Sequence, residues 1–169
     1  MYVGIWGTST NGGPERAGNL EFDLIAFLEM GEKDRGLFEV GAERYNYPGL
    51  TSQDASEAWI SWSRAWVSGA FHYSPDWSEG KPAYYLEENL SIPLDGESTL
   101  LGVHFGRSFG PAWQENGLRA YSDYGVSLSR SYGRYGAALK FVGTHGAPVD
   151  GRYFSAASRV VFTLSIRLP

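Results

Sequence analysis

Residues 159–167 read RVVFTLSIR, with Leu168 next in the chain. In an extended chain successive side chains point to opposite faces. Val160, Phe162, Leu164, Ile166 and Leu168 therefore share one face, and Arg159, Thr163, Ser165 and Arg167 the other. A helix, with its period of about 3.6 residues, would mix the two sets. The stretch reads as a β-strand with one apolar and one polar side.

The same period recurs upstream. Leu20, Phe22, Leu24, Ala26 and Leu28 alternate with Glu21, Asp23 and Glu29, and Phe38, Val40 and Ala42 with Glu39, Gly41 and Glu43. Val67, Phe71 and Tyr73 oppose Ser68, Ala70 and His72; Tyr84, Leu86, Leu90 and Ile92 oppose Glu87, Asn89 and Ser91. Leu101, Val103 and Phe105 oppose Gly102, His104 and Gly106; Tyr124, Val126 and Leu128 oppose Asp123, Ser127 and Ser129; Tyr135, Ala137, Leu139 and Phe141 oppose Lys140. Glu88 breaks the pattern on an apolar face, and Ile25 and Phe27 break it on a polar one. The pattern predicts about ten strands, near 2–10, 19–30, 37–47, 57–64, 66–74, 82–94, 99–109, 118–131, 135–143 and 155–168. The fold class is all-β, in one domain spanning 1–169 without a linker. Gly 22, Tyr 11, Phe 9 and Trp 6 among 169 residues agree, since these residues suit pleated surfaces and tight turns.

A formal net charge of -5 and the lack of a Lys/Arg cluster argue against a nucleic-acid partner. With Cys 0, disulfides, thiolate metal sites and cysteine nucleophiles are excluded. No run approaches the roughly 18 apolar residues of a spanning helix, which leaves a membrane barrel open. The start, MYVGIWGTST, lacks the basic and apolar regions of a signal peptide.

Connections alternate between long (TSTNGGPERAG, PGLTSQDASE, SPDWSEGK, GPAWQENG, THGAPVDGRY) and short (GEKDRG, the region of Ser63 to Ala65, DGES, YGR). A membrane barrel has that asymmetry, with short periplasmic turns and longer outer loops. Tyr45, Tyr47, Trp59, Trp66, Tyr73, Trp77, Tyr84, Tyr132, Tyr135 and Tyr153 fall toward strand ends, where interfacial girdles would lie. The polar face then lines a lumen: Glu21, Asp23, Glu29, Glu39, Glu43, His72, Glu87, His104, Asp123, Lys140, Arg159 and Arg167 are the expected lining, biasing which ions or solutes pass. On an equal footing stands a plug, in which these charges pair across the interior.

Catalytic readings are weaker. Glu21 and Asp23 lie two apart on one face, as an acid and base pair for glycoside hydrolysis could, but like-facing acids are common on polar strands. His72, His104 and His145 lack metal-ligand spacing. A lipid-modifying serine–histidine site would have to face lipid, whereas His72 and His104 fall on the polar face. GTSTNGG is not followed by the lysine of a phosphate loop, and the sequon Asn89-Leu90-Ser91 lies inside a strand. The expectation is a protein that is not an enzyme and uses no cofactor or metal.

YVGIWGTST, NLEFDLIAF, GLFEVGAERYNYPG, AFHYSPDW with AYYLEENLSIPL, VHFGRSFG, YSDYGVSLSRSYG, and ALKFVGTH with RVVFTLSIRLP, in this order, resemble the TorF-type porins of the proteobacterial outer membrane. The resemblance spans nearly the whole chain. It implies an antiparallel up-and-down transmembrane β-barrel, with about twelve strands in full-length members, whose signal peptide and first hairpin precede the counterpart of YVGIWG. This chain departs from the pattern in lacking both and in ending Leu168-Pro169 rather than on an aromatic residue. The expected partners are outer-membrane lipid and small hydrophilic solutes or ions that diffuse passively. The rival folds are a plugged structural barrel and a soluble lipocalin-like barrel, whose interior would be apolar.

Overall fold

The computed structural model describes residues 1–9, 20–32, 35–78, 80–96, 98–115, 120–147 and 157–167. Ten strands run β1 (Tyr2–Ser9), β2 (Leu20–Glu32), β3 (Gly36–Asn46), β4 (Ala55–Arg64), β5 (Val67–Ser78), β6 (Lys81–Pro93), β7 (Thr99–Phe109), β8 (Tyr121–Tyr132), β9 (Tyr135–His145) and β10 (Arg159–Ile166). One short helix, α1 (Pro111–Glu115), and a 3-10 turn at Thr51–Gln53 sit in the connections. The strands form one sheet in chain order, each antiparallel to the next. No pairing joins β1 to β10 among the described residues.

The ten expected strands hold, but the strict alternation of long and short connections breaks between β5 and β6. SPDWSEGK is not a long loop: β5 continues to Ser78 and β6 starts at Lys81. The register shifts between Ser74 and Ser78, and such an irregularity tolerates Pro75, which has no N–H for the ladder. The GTSTNGG turn from Thr10 onward, Tyr153 and Leu168 lie outside the described residues.

Register places the two residue sets on opposite faces throughout. Along one hydrogen-bonded row Phe38 meets Trp62, which meets Gly69, then Glu88, Phe105, Tyr124 and Gly143. All belong to the apolar face. The row crosses β3 near its start at Gly36 and β9 near its end at His145. Both strands leave a short turn, so the row climbs the sheet, and strands staggered in this way are tilted.

Among the described residues nothing packs on the apolar face. Leu24, Ile60, Val126, Leu139 and Phe162 are exposed, and the only buried apolar side chains among the described residues are four alanines, Ala55, Ala70, Ala83 and Ala112. A water-soluble sheet hides its apolar side in a core. Here the polar side is the enclosed one: Tyr85 Oη on β6 donates to Asp123 Oδ1 on β8 at 3.2 Å, across β7, so the sheet curls with its polar face concave.

The sequence exceptions are real features. Glu88 stands on the apolar face opposite Gly69, with Trp62 beyond. Phe27, on the polar face, stacks on Tyr2 with ring centroids 4.7 Å apart.

Candidate functional site: the concave polar face

Pairing brings the expected residues onto one surface. Glu29 lies opposite Glu39. On the far side of the same row Glu87, Gly106, Asp123 and Thr144 follow one another. One row nearer the short turns, Asn89, His104, Gly125, Val142 and Arg159 line up, and Lys140 faces Ser127 and Val161. Glu21, Asp23, Glu43 and His72 take the same face. Arg167 lies just past β10, exposed, its N–H donating to the Arg134 carbonyl at 2.8 Å.

Like charges directly opposite each other destabilise a sheet, yet Glu29 faces Glu39 and Glu43 faces Glu57. Donors from the neighbouring strand or from the same strand offset this. Trp59 Nε1 donates to Glu39 Oε1 at 2.6 Å, His72 Nδ1 lies 2.8 Å from Glu57 Oε1, and Tyr45 Oη donates to Glu43 Oε2 at 3.2 Å. Trp59 and Tyr45 were expected in an aromatic girdle; both instead belong to the polar face. On the apolar face the aromatic row is Tyr73, Tyr84 and Phe109, stacked at 5.4 and 5.2 Å.

The interior charges do not all pair. His104 sits between Asn89 Oδ1 and Asp123 Oδ1, 2.7 Å from each. His72 with Glu57 and His104 with Asp123 pair across strands, whereas no ion pair or hydrogen bond engages Lys140, Arg159 or Glu87 among the described residues. Carboxylates dominate β2 to β6 and Asp123 on β8, whereas Lys140 and Arg159 stand on β9 and β10 and Lys81 at the start of β6. Asp23 is 4% exposed, beside Trp6 and Tyr45, and its Oδ1 has no partner.

At the long-loop end the face deepens into a cavity of about 640 Å³ beneath α1. Glu57, His72, Glu87 and Asp123 contribute carboxylates and an imidazole; Trp77, Tyr85, Trp113 and Tyr121 supply aromatic walls. Pro111 starts α1, a position where its missing N–H costs nothing, and Ala112, 1% exposed, fixes the helix against the wall. Trp113 then lies 6.1 Å from Trp77 and 5.4 Å edge-on from Tyr121. Glu57, Tyr85 and Trp113 were missed in the sequence. Glu57 has the parity of Trp59, Ser61 and Ser63 and was legible by period; Trp113 lies in a five-residue helix too short to show one.

A smaller cavity of about 300 Å³ is lined by Glu21, Tyr45, Tyr47, Gln53, Ala55, Glu57 and Trp77. Tyr47, just past β3, donates from Oη to Glu21 Oε1 at 2.9 Å. Burial, with that carboxylate beside it, pushes the Tyr47 phenol up to about 12. Asp23 does not line this cavity with Glu21, so the two do not form a shared acid and base pair there. Ser74 is beside His72 on the same face, but its Oγ has no hydrogen-bond partner, so no activated serine nucleophile is assembled. No group of three or more His, Asp or Glu suited to a metal ion occurs among the described residues.

A family model described as a bacterial protein of unknown function (Gcw_chp) matches residues 1–167, and the chain belongs to that family. No curated protein and no solved structure matches it.

Proposed function

We propose that this member of a bacterial family of unknown function is an outer-membrane β-barrel through which small hydrophilic solutes or ions diffuse, without turnover and without a cofactor. The observation that carries this reading is the inverted sheet: an exposed apolar face with no core behind it, and a concave face of carboxylates, imidazoles and hydroxyls. Lipid is the medium that favours such an outer surface, and water the medium that favours such an inner one. The topology is compatible with closure. A meander of even strand number leaves β1 and β10 running in opposite directions, as antiparallel pairing requires, and the stagger of the rows supplies the tilt a barrel needs. The longer connections, which follow β1, β3, β7 and β9 and so fall at one end of the sheet, and the resemblance to TorF-type porins support the outer membrane as its place.

Selectivity follows from the wall. With carboxylates outnumbering Lys140 and Arg159, the bore favours cations. The test is single-channel recording of refolded protein in a planar bilayer, beside a Glu21→Gln, Asp23→Asn double variant. Discrete steps with cation preference, reduced in the variant, are expected. Protein that is folded and monodisperse without detergent overturns the membrane reading, and a folded, inserted but silent barrel overturns the channel.

The silent outcome has its own observation in favour. α1 lies across the long-loop end, its Trp113 set between Trp77 and Tyr121, which narrows that mouth and fits a closed binding barrel.

A further inference from the structure

The geometry points to a binding site for a small organic cation carrying a hydroxyl or carbonyl oxygen, in the cavity under α1. Three observations converge there. Trp77, Trp113 and Tyr121 form a contiguous aromatic wall, Trp113 lying 6.1 Å from Trp77 and 5.4 Å edge-on from Tyr121, and an ammonium group is attracted to the open face of such rings. Glu57 and Asp123 are each engaged by a histidine, but Glu87 also lines the cavity and has no partner among the described residues. No Lys or Arg lines it. The wall is therefore negative even with His72 charged, and it leaves one carboxylate free for a ligand.

Polar atoms supply the third observation. Ser74, 3% exposed, lines the cavity with an Oγ that has no hydrogen-bond partner, and Trp113 Nε1, also in the lining, is buried without one. A buried donor left unmade is costly, and a ligand oxygen that reaches either group offsets that cost. A volume of about 640 Å³ is within the range of sites that enclose a small molecule. Aromatic walls, a free carboxylate and two waiting polar groups match a hydroxylated ammonium such as choline better than a sugar, which needs no net charge.

The site stands on the cavity and not on passage through a membrane. Its test is a titration of intrinsic tryptophan fluorescence on the full chain folded in detergent micelles. Choline is compared with its neutral isostere 3,3-dimethylbutan-1-ol and with glucose, at matched ionic strength. Choline produces a saturable change and the isostere does not. Glu87→Gln and Trp113→Leu each weaken choline by at least about tenfold, while Glu32→Gln, in a distant exposed turn, leaves it unchanged. Should a cavity variant fail to fold by circular dichroism, the wild-type comparison of choline with its isostere still decides. Equal binding of choline and the isostere, tighter binding of glucose, no saturable signal, or a folded Glu87→Gln with wild-type affinity overturns the inference. Because the titration reads binding whether or not the barrel conducts, a silent bilayer does not sink it, and its own failure leaves the channel reading standing.

Discussion

At the residue scale the concave face is held by a few specific donors. Trp59 lies flat over Gly41 on the neighbouring strand, where a Cβ would overlap the indole, and from there it reaches Glu39. Gly41→Ala therefore drives the ring off and leaves Glu39 facing Glu29 without its donor. We expect a loss of about 1–3 kcal/mol, typical of overpacking, read by urea unfolding in micelles; an unchanged midpoint would mean the indole has room to move. Tyr47 gives a pH signature. The folded protein keeps its phenolic proton above the ordinary value of 10.0, up to about 12, so this contribution to stability is complete below about pH 10 and fades as pH rises toward 12. Spectrophotometric titration should show a tyrosine ionising near pH 12 that is absent in Tyr47→Phe and shifted back toward 10 in Glu21→Gln.

At the element scale each strand is a two-sided object, and the sides respond differently. Val126→Arg, on the exposed apolar face of β8, should cost about 2–4 kcal/mol in lipid vesicles, whereas Ser129→Arg, on the polar face and opposite the uncharged Leu100 and Ala138, should be tolerated, because its charge reaches the polar interior. Equal losses in the two variants would mean that the apolar face does not meet lipid. This two-sidedness is why so much was legible in the sequence: period two marks the strands and their faces together, and even Glu88, Ile25 and Phe27 stand where alternation puts them. What escaped had other causes. Ser74, Pro75 and Asp76 read as a turn because proline cannot donate to a ladder, yet the register shift in β5 absorbs it. Tyr45 and Trp59 were assigned by closeness to strand ends, when their parity already put them with the carboxylates. The cavity was out of reach altogether, since its walls come from β4 to β9 and α1 and meet only after the sheet curls.

At the scale of the whole molecule the open question of β1 and β10 is accessible because the chain has Cys 0, so any disulfide is an engineered one. Ile5→Cys combined in turn with Val160→Cys, Phe162→Cys, Leu164→Cys and Ile166→Cys should oxidise in one register, since a disulfide needs Cα atoms within about 4.4–6.8 Å; four unreactive pairs would show that the edges stand apart. The chain-order meander has a kinetic consequence as well. Every observed pairing joins strands adjacent in sequence, so each closes a short loop and costs little chain entropy. Hairpins of this kind form in about 1–10 μs, and the sheet can grow by adding one at a time. Seam formation between the first and last strands would be the single step that must gather nearly the whole chain, and would therefore set the folding rate. A sheet assembled so locally should show early protection of central amides in pulsed hydrogen exchange and late protection at β1 and β10.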